Sequence, residues 1–176
     1  MAWSTPRTWA TNEVLTSANM NTYVSDDLRW LGVDLPRASL AGSLAVPSSS
    51  TFATPTSGSW SATGTGGMAV STLYAGSTSY FLTAPTAGAY QINASVIYTT
   101  NATGKRGLAL SSGAAGTGTV WAQAQTEPVQ GTEVTALSVS CLVQLPFGNS
   151  VHIGIRQSSG GSMTCAVRLS GFWVAV

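Results

Sequence analysis

The stretch Tyr90-Gln-Ile-Asn-Ala-Ser-Val-Ile-Tyr98 places Tyr90, Ile92, Ala94, Val96 and Tyr98 on one side. Gln91, Asn93 and Ser95, followed by Thr99, fall on the other. A period of two with one apolar face is the pattern of a half-buried strand. The same alternation recurs downstream. Leu137, Val139, Cys141, Val143 and Leu145 form a second inward row. Val151, Ile153 and Ile155 alternate with His152, Gly154 and Arg156, and Met163, Cys165, Val167 and Leu169 alternate with Thr164, Ala166, Arg168 and Ser170. Shorter strands are expected at Met68–Tyr74, Arg106–Leu110 and Val120–Gln125. Turn signals separate them at Pro85–Gly88, Asn101–Gly104, Ser111–Gly118, Pro146–Asn149 and Ser158–Gly161. Eight or so strands at this spacing predict an all-β, antiparallel sandwich or jelly roll over residues 38–176.

Composition supports that fold and excludes several functions. Only 7% of the 176 residues are charged, and seven Lys and Arg against six Asp and Glu leave a net charge of +1. An electrostatic nucleic-acid binder needs clustered basic residues, and so does a polybasic membrane contact. Neither is expected. No stretch approaches the apolar length of a membrane span. Solubility falls to 24 Ser, 23 Thr and 19 Gly, while six Trp, five Tyr and four Phe speak against disorder. Low charge also suits a surface that is buried against identical subunits. The opening MAWSTPRTWATNEV lacks the apolar core of a secretory signal, so synthesis in a reducing cytoplasm is expected.

Charge marks a boundary. Residues 1–37 hold three of the seven basic and four of the six acidic residues, whereas residues 38–104 hold no charge at all. The chain therefore divides into an N-terminal segment, 1–37, and a strand-rich domain, 38–176. Within the first, Thr16 reads as an N-cap. Met20, Tyr23, Val24, Leu28 and Leu31 then recur three or four apart, and Gly32 stands where a helix ends. A helix over 17–31 is predicted. At about 15 residues it is marginal alone and needs a packing partner. Trp3, Trp9 and Trp30 are available to a small cluster or to docking on another protein, and the alternative is a terminal helix folded onto its own domain.

The chemistry-bearing residues are few. His152 has no nearby acid or thiol in sequence and reads as a surface or subunit-interface residue. Cys141 and Cys165 both fall in inward rows and read as small buried hydrophobes, with a cross-strand disulfide as the alternative. Gly64-Thr-Gly-Gly-Met-Ala69 matches a loose dinucleotide pattern, but no helix follows to hold a pyrophosphate. Glu127 and Glu133 are the only acids beyond residue 37, too few for a carboxylate-rich calcium site. No catalytic residue, cofactor or metal is expected.

Two resemblances cover most of the chain. Pro6, Trp9, Glu13, Val14, Leu15, Thr16, Asn21, Val24, Asp26 and Leu28 resemble the opening segment of bacteriophage minor tail and fibre proteins. Phe81-Leu-Thr-Ala-Pro-Thr-Ala-Gly-Ala-Tyr90, Asn101–Arg106, Leu145-Pro-Phe-Gly148, Gln157–Gly160 and the closing Leu169–Val176 resemble the jelly roll of the tumour necrosis factor and complement globular-head superfamily. That second resemblance implies a homotrimer, each jelly roll packing an aromatic-rich face about a threefold axis. Tyr74, Tyr80, Tyr90, Tyr98, Trp121, Phe172 and Trp173 are the candidates for its core and interface. The first implies a virion protein, synthesised in the host cytoplasm, whose residues Trp3, Trp9, Met20, Tyr23, Val24, Leu28, Trp30 and Leu31 dock onto other virion proteins.

Three functions follow as expectations. The first is a tail- or fibre-associated structural protein whose head meets a host glycan or protein through loops such as Ser111–Thr119 and Thr126–Thr132. A capsid decoration protein that stabilises the head is the second, favoured by the absence of a fibrous shaft. The third is a polysaccharide-degrading enzyme, which would need a carboxylate pair and has only Glu127 and Glu133 in the jelly-roll region to offer.

Overall fold

A computed structural model describes residues 11, 14, 16–20, 37–53, 59–65, 69–72, 80–113, 118–129 and 133–175. Ten strands among them are β1 (Arg37–Val46), β2 (Ser59–Thr65), β3 (Ala69–Thr72), β4 (Tyr80–Thr83), β5 (Gly88–Tyr98), β6 (Arg106–Ser111), β7 (Val120–Thr126), β8 (Thr135–Leu145), β9 (Ser150–Gln157) and β10 (Met163–Ala175). They pair antiparallel in two five-stranded sheets of order β2-β1-β10-β5-β8 and β3-β4-β9-β6-β7. The architecture is all-β and consistent with a jelly-roll sandwich.

Register explains why the alternation works. Leu40, Leu169, Ala94 and Val139 lie side by side across β1, β10, β5 and β8, facing inward. One residue along, Ser39, Ser170, Asn93 and Ser140 lie side by side facing out. Leu108 and Leu110 of β6 and Val151, Ile153 and Ile155 of β9 close the core from the other sheet, each at most 1% exposed. Burying each such side chain contributes roughly 1.5–3 kcal/mol.

Three strands, β1, β2 and β4, are not among those expected from the sequence. In β1 the inward set Ala38, Leu40, Leu44 and Val46 is interrupted by Gly42, and its outward set is only Arg37, Ser39, Ala41, Ser43 and Ala45. Small residues carry weak strand preference, so β10 pairing along ten positions holds this strand, not its own propensity. The first described strand opens at Arg37. Of the expected 17–31 helix, Ser17–Met20 forms a helical turn and residues 21–31 lie outside the described residues.

The two cysteines are both free. Cys141 pairs with Ile92 and Cys165 with Tyr98, so β5 stands between their strands and they lie six positions apart along it. A cross-strand disulfide is therefore not formed, because β8 and β10 are not neighbours.

Polar groups brace the end of the sandwich remote from Arg37. The Tyr98 hydroxyl donates to the Gly107 and Arg156 carbonyls at 2.6 and 3.0 Å. Arg106, wholly covered, donates to the Asn101 and Lys105 carbonyls at 2.9 and 3.2 Å, its guanidinium 5.7 Å from the Tyr98 ring. Burial holds Arg106 below the usual guanidinium range, partly countered by Tyr98. Gly104 lies beside this group at φ +75°, where a Cβ would fall 2.1 Å from the Ser158 carbonyl oxygen.

Candidate self-association face and loop ends

The outward face of the β2-β1-β10-β5-β8 sheet carries three kinds of row. Arg37, Phe172, Gln91 and Leu142 form one across β1, β10, β5 and β8. Ser39, Ser170, Asn93 and Ser140 form the next, followed by Ala41, Arg168, Ser95 and Ser138, then by Ser43, Ala166, Ile97 and Ala136. Apolar side chains therefore sit at both ends of a hydroxyl and amide belt. Leu142 is 64%, Ile97 48%, Val174 46% and Phe172 45% exposed.

The belt is organised before anything binds. Gln91 Nε2 donates to Ser140 Oγ at 2.6 Å, and Ser140 Oγ donates to Asn93 Oδ1 at 2.9 Å. Beside them a shallow hollow of about 460 Å³ is lined by Asn93, Ser95, Ser138, Ser140, Arg168 and Ser170 among others. The described side chains of this face include no carboxylate, and its cations are Arg37 and Arg168. Such a face can be covered without desolvating many ions.

The free edge of the sheet, β8, runs 11 residues without a charge, a proline or a register shift. Exposed edges are normally blunted by one of those devices, because their unpaired backbone groups recruit other chains.

The aromatic candidates distribute unevenly. Tyr90 and Tyr98 are fully buried, the Tyr90 hydroxyl donating to the Thr86 carbonyl at 2.9 Å. Trp121 and Trp173 pack partly buried against the core, and Phe172 stands on the outward face. Tyr80 opens β4, its side chain not described; Tyr74 lies outside the described residues. So do Trp3, Trp9, Tyr23, Val24, Leu28, Trp30 and Leu31, and of Met20 only the backbone is described. The outward polar residues were legible as alternating partners of the core rows. Their assembly into one belt was not, because strand order is invisible in a period-two pattern.

The two loops expected to meet a host stand at opposite ends of β7. Ser112, Gly113, Gly118 and Thr119 precede it, beside the end where Arg37 enters; Glu127–Val129, Glu133 and Val134 follow it, beside Tyr98 and Arg106. Seven residues of strand separate them by about 20 Å, so a small contact site does not use both. The end away from Arg37 carries a hydroxyl-rich, internally bonded surface. Asn101 Oδ1 accepts from the Thr103 backbone N–H and hydroxyl at 2.9 and 2.8 Å. Ser158 Oγ accepts from the Lys105 N–H at 2.8 Å, and Ser48 Oγ from the Gly160 N–H at 3.0 Å.

His152 stacks on Phe81 at 4.9 Å on the opposite sheet, held below its usual pKa by burial. Among the described residues no group of three or more His, Cys, Asp or Glu could hold a metal, and no helix is long and apolar enough to cross a membrane.

Comparison with known proteins adds a likeness of fold. No family model and no curated protein sequence matches this chain. Among solved structures it is similar to the Eiger TNF of S. frugiperda, at 9% identity and a TM-score of 0.52, covering 80% of this chain and 94% of that one. It is similar to the globular domain of zebrafish complement 1qA protein, at 12% identity and a TM-score of 0.51, covering 79% and 97%. The vertex protein P5 of PRD1 matches at 15% identity and a TM-score of 0.55, covering 81% and 99%. The likeness is one of fold alone, and the two described sheets are consistent with a jelly roll like theirs.

Proposed function

We propose that this chain is a non-enzymatic structural protein of a bacteriophage particle, a homotrimer whose N-terminal segment docks onto other virion proteins. The observation that carries the reading is the outward face of the β2-β1-β10-β5-β8 sheet. It is large, almost uncharged, apolar at both ends and unpartnered in the single chain. Copies packing that face about a common axis remove Leu142, Ile97, Phe172 and Val174 from water. The likeness of fold to a phage vertex protein supports a place on the virion.

Chain direction gives the head a polarity. Residues 1–36 join β1 at Arg37, so that end faces the particle, and the loops around Asn101, Glu127 and Ser159 face away. Small hydroxyls and amides suit shallow contacts with a host glycan. The decoration reading keeps the same trimer and polarity and is favoured by the few residues, 32–36, between the expected helix and β1. The polysaccharide-degrading reading would have to use Glu127, which stands 3.6 Å from Lys105, and Glu133.

Light scattering on the purified chain is expected to give three times 18.0 kDa, and a single-chain mass overturns the trimer. Antibody labelling of intact particles, viewed by electron microscopy, then separates the readings. Label at the tail supports host attachment, label over the head supports decoration, and unlabelled particles overturn both.

A further inference from the structure

Arg168 is an exposed guanidinium in a hollow of hydroxyls, without a described hydrogen bond or ion pair, on a face whose described side chains include no carboxylate. Covering that face with another copy desolvates a positive charge, a cost that a facing carboxylate offsets most strongly. Beyond residue 37 the chain has two. Glu127 stands 3.6 Å from Lys105 in an exposed pair, whereas Glu133 is exposed in the β7–β8 loop that leads into the uncharged edge strand. Within one copy Glu133 does not reach Arg168. Arg168 lies level with Ser138, two strands from β8, about 10 Å sideways and more than about 10 Å along the strands from Glu133. In a closed ring of three the contact is heterologous, so the face of one copy meets a different surface of the next. The edge strands β7 and β8, uncharged and each last in its sheet among the described residues, offer such a surface.

We infer that Glu133 of one copy enters the Arg168 hollow of the next, so that a single intersubunit ion pair sets the register of the ring. The inference rests on the trimer reading above. Its test is a charge swap read by sedimentation at low salt. Arg168→Glu and Glu133→Arg are each expected to weaken trimer formation by about tenfold or more, and the combined variant to recover to within about threefold of the parent. Both side chains are exposed, so unchanged melting of the separated chains shows that folding is intact. The neutral variants Arg168→Gln and Glu133→Gln are expected to weaken association less than the reversals. A trimer indifferent to either reversal overturns the pair while leaving the trimer standing. So does loss in both singles without recovery in the combination, or loss with Arg168→Glu alone, which places the carboxylate elsewhere. A parent chain that never associates overturns the trimer and the pair together.

Discussion

At the scale of single residues, Tyr98 and Cys165 show how a core built from strand alternation handles its titratable groups. They pair across β5 and β10 and face inward together. Burial pushes the Cys165 thiol up to about 12 and raises the Tyr98 hydroxyl well above its usual value, the thiol's charge adding to the latter. Both groups are therefore protonated in the folded chain at pH values where the unfolded chain releases their protons. Their contribution to stability is full below about pH 9 and is lost as pH rises through the folded values. Denaturant unfolding at stepped pH is expected to show stability falling from pH 9 upward. Tyr98→Phe removes one of the two groups and flattens that fall. At pH 7 the same substitution deprives the Gly107 and Arg156 carbonyls of a donor and costs about 1–2 kcal/mol. An unchanged alkaline slope in the variant contradicts this account.

Between residue and domain lies the element, and here one segment does what no periodicity announces. Residues 49–53 run alongside β9, beyond the part of it that pairs with β4. Ser49 N–H donates to the Gln157 carbonyl at 2.7 Å, and Ala53 and Ile155 exchange bonds at 2.8 and 2.9 Å. The strap lies flat because Gly107 and Gly154 leave room for the Phe52 ring; a Cβ at Gly107 would stand 3.0 Å from Phe52 Cε1. Arg156 completes the clamp, its guanidinium 5.5 Å from the ring and bonded to the Ser50 carbonyl at 3.0 Å. Gly107→Val is expected to lift the strap, cost roughly 1–3 kcal/mol and speed hydrogen exchange at Ala53 and Ile155. Retained protection at those amides would show that the ring yields without the strap moving. None of this was legible beforehand, since Phe52 sits in a run of Ser, Thr, Ala and Pro that reads as loop. The strands β5, β8, β9 and β10 were legible, because Val, Ile, Leu and aromatic residues keep the period of two there. β1 and β2 were not, as Ala, Gly, Ser and Thr take strand form only when a neighbour supplies the ladder.

On the scale of the whole molecule, inner and outer faces obey different accounts. The inner face explains the fold: removing its side chains from water is what the alternation secures, and that was readable from residues 90–98 alone. The outer face of the β2-β1-β10-β5-β8 sheet contributes little to the single chain. Leu142 is 64% exposed there and its partner in the row, Gln91, is polar. Leu142→Glu is therefore expected to change the stability of an isolated chain by no more than about 0.5 kcal/mol. In a trimer the same position is covered, and a carboxylate placed among Phe172 and its neighbours costs several kcal/mol per copy, three times over. Light scattering should then give 18.0 kDa for the variant against three times that for the parent, with circular dichroism of the two alike. Melting of the parent should rise with protein concentration, because association stabilises only the folded chain, while melting of the variant should not. A variant that stays trimeric puts the contact on another surface, and the strong exposure of Leu142 would then need a different partner to explain it.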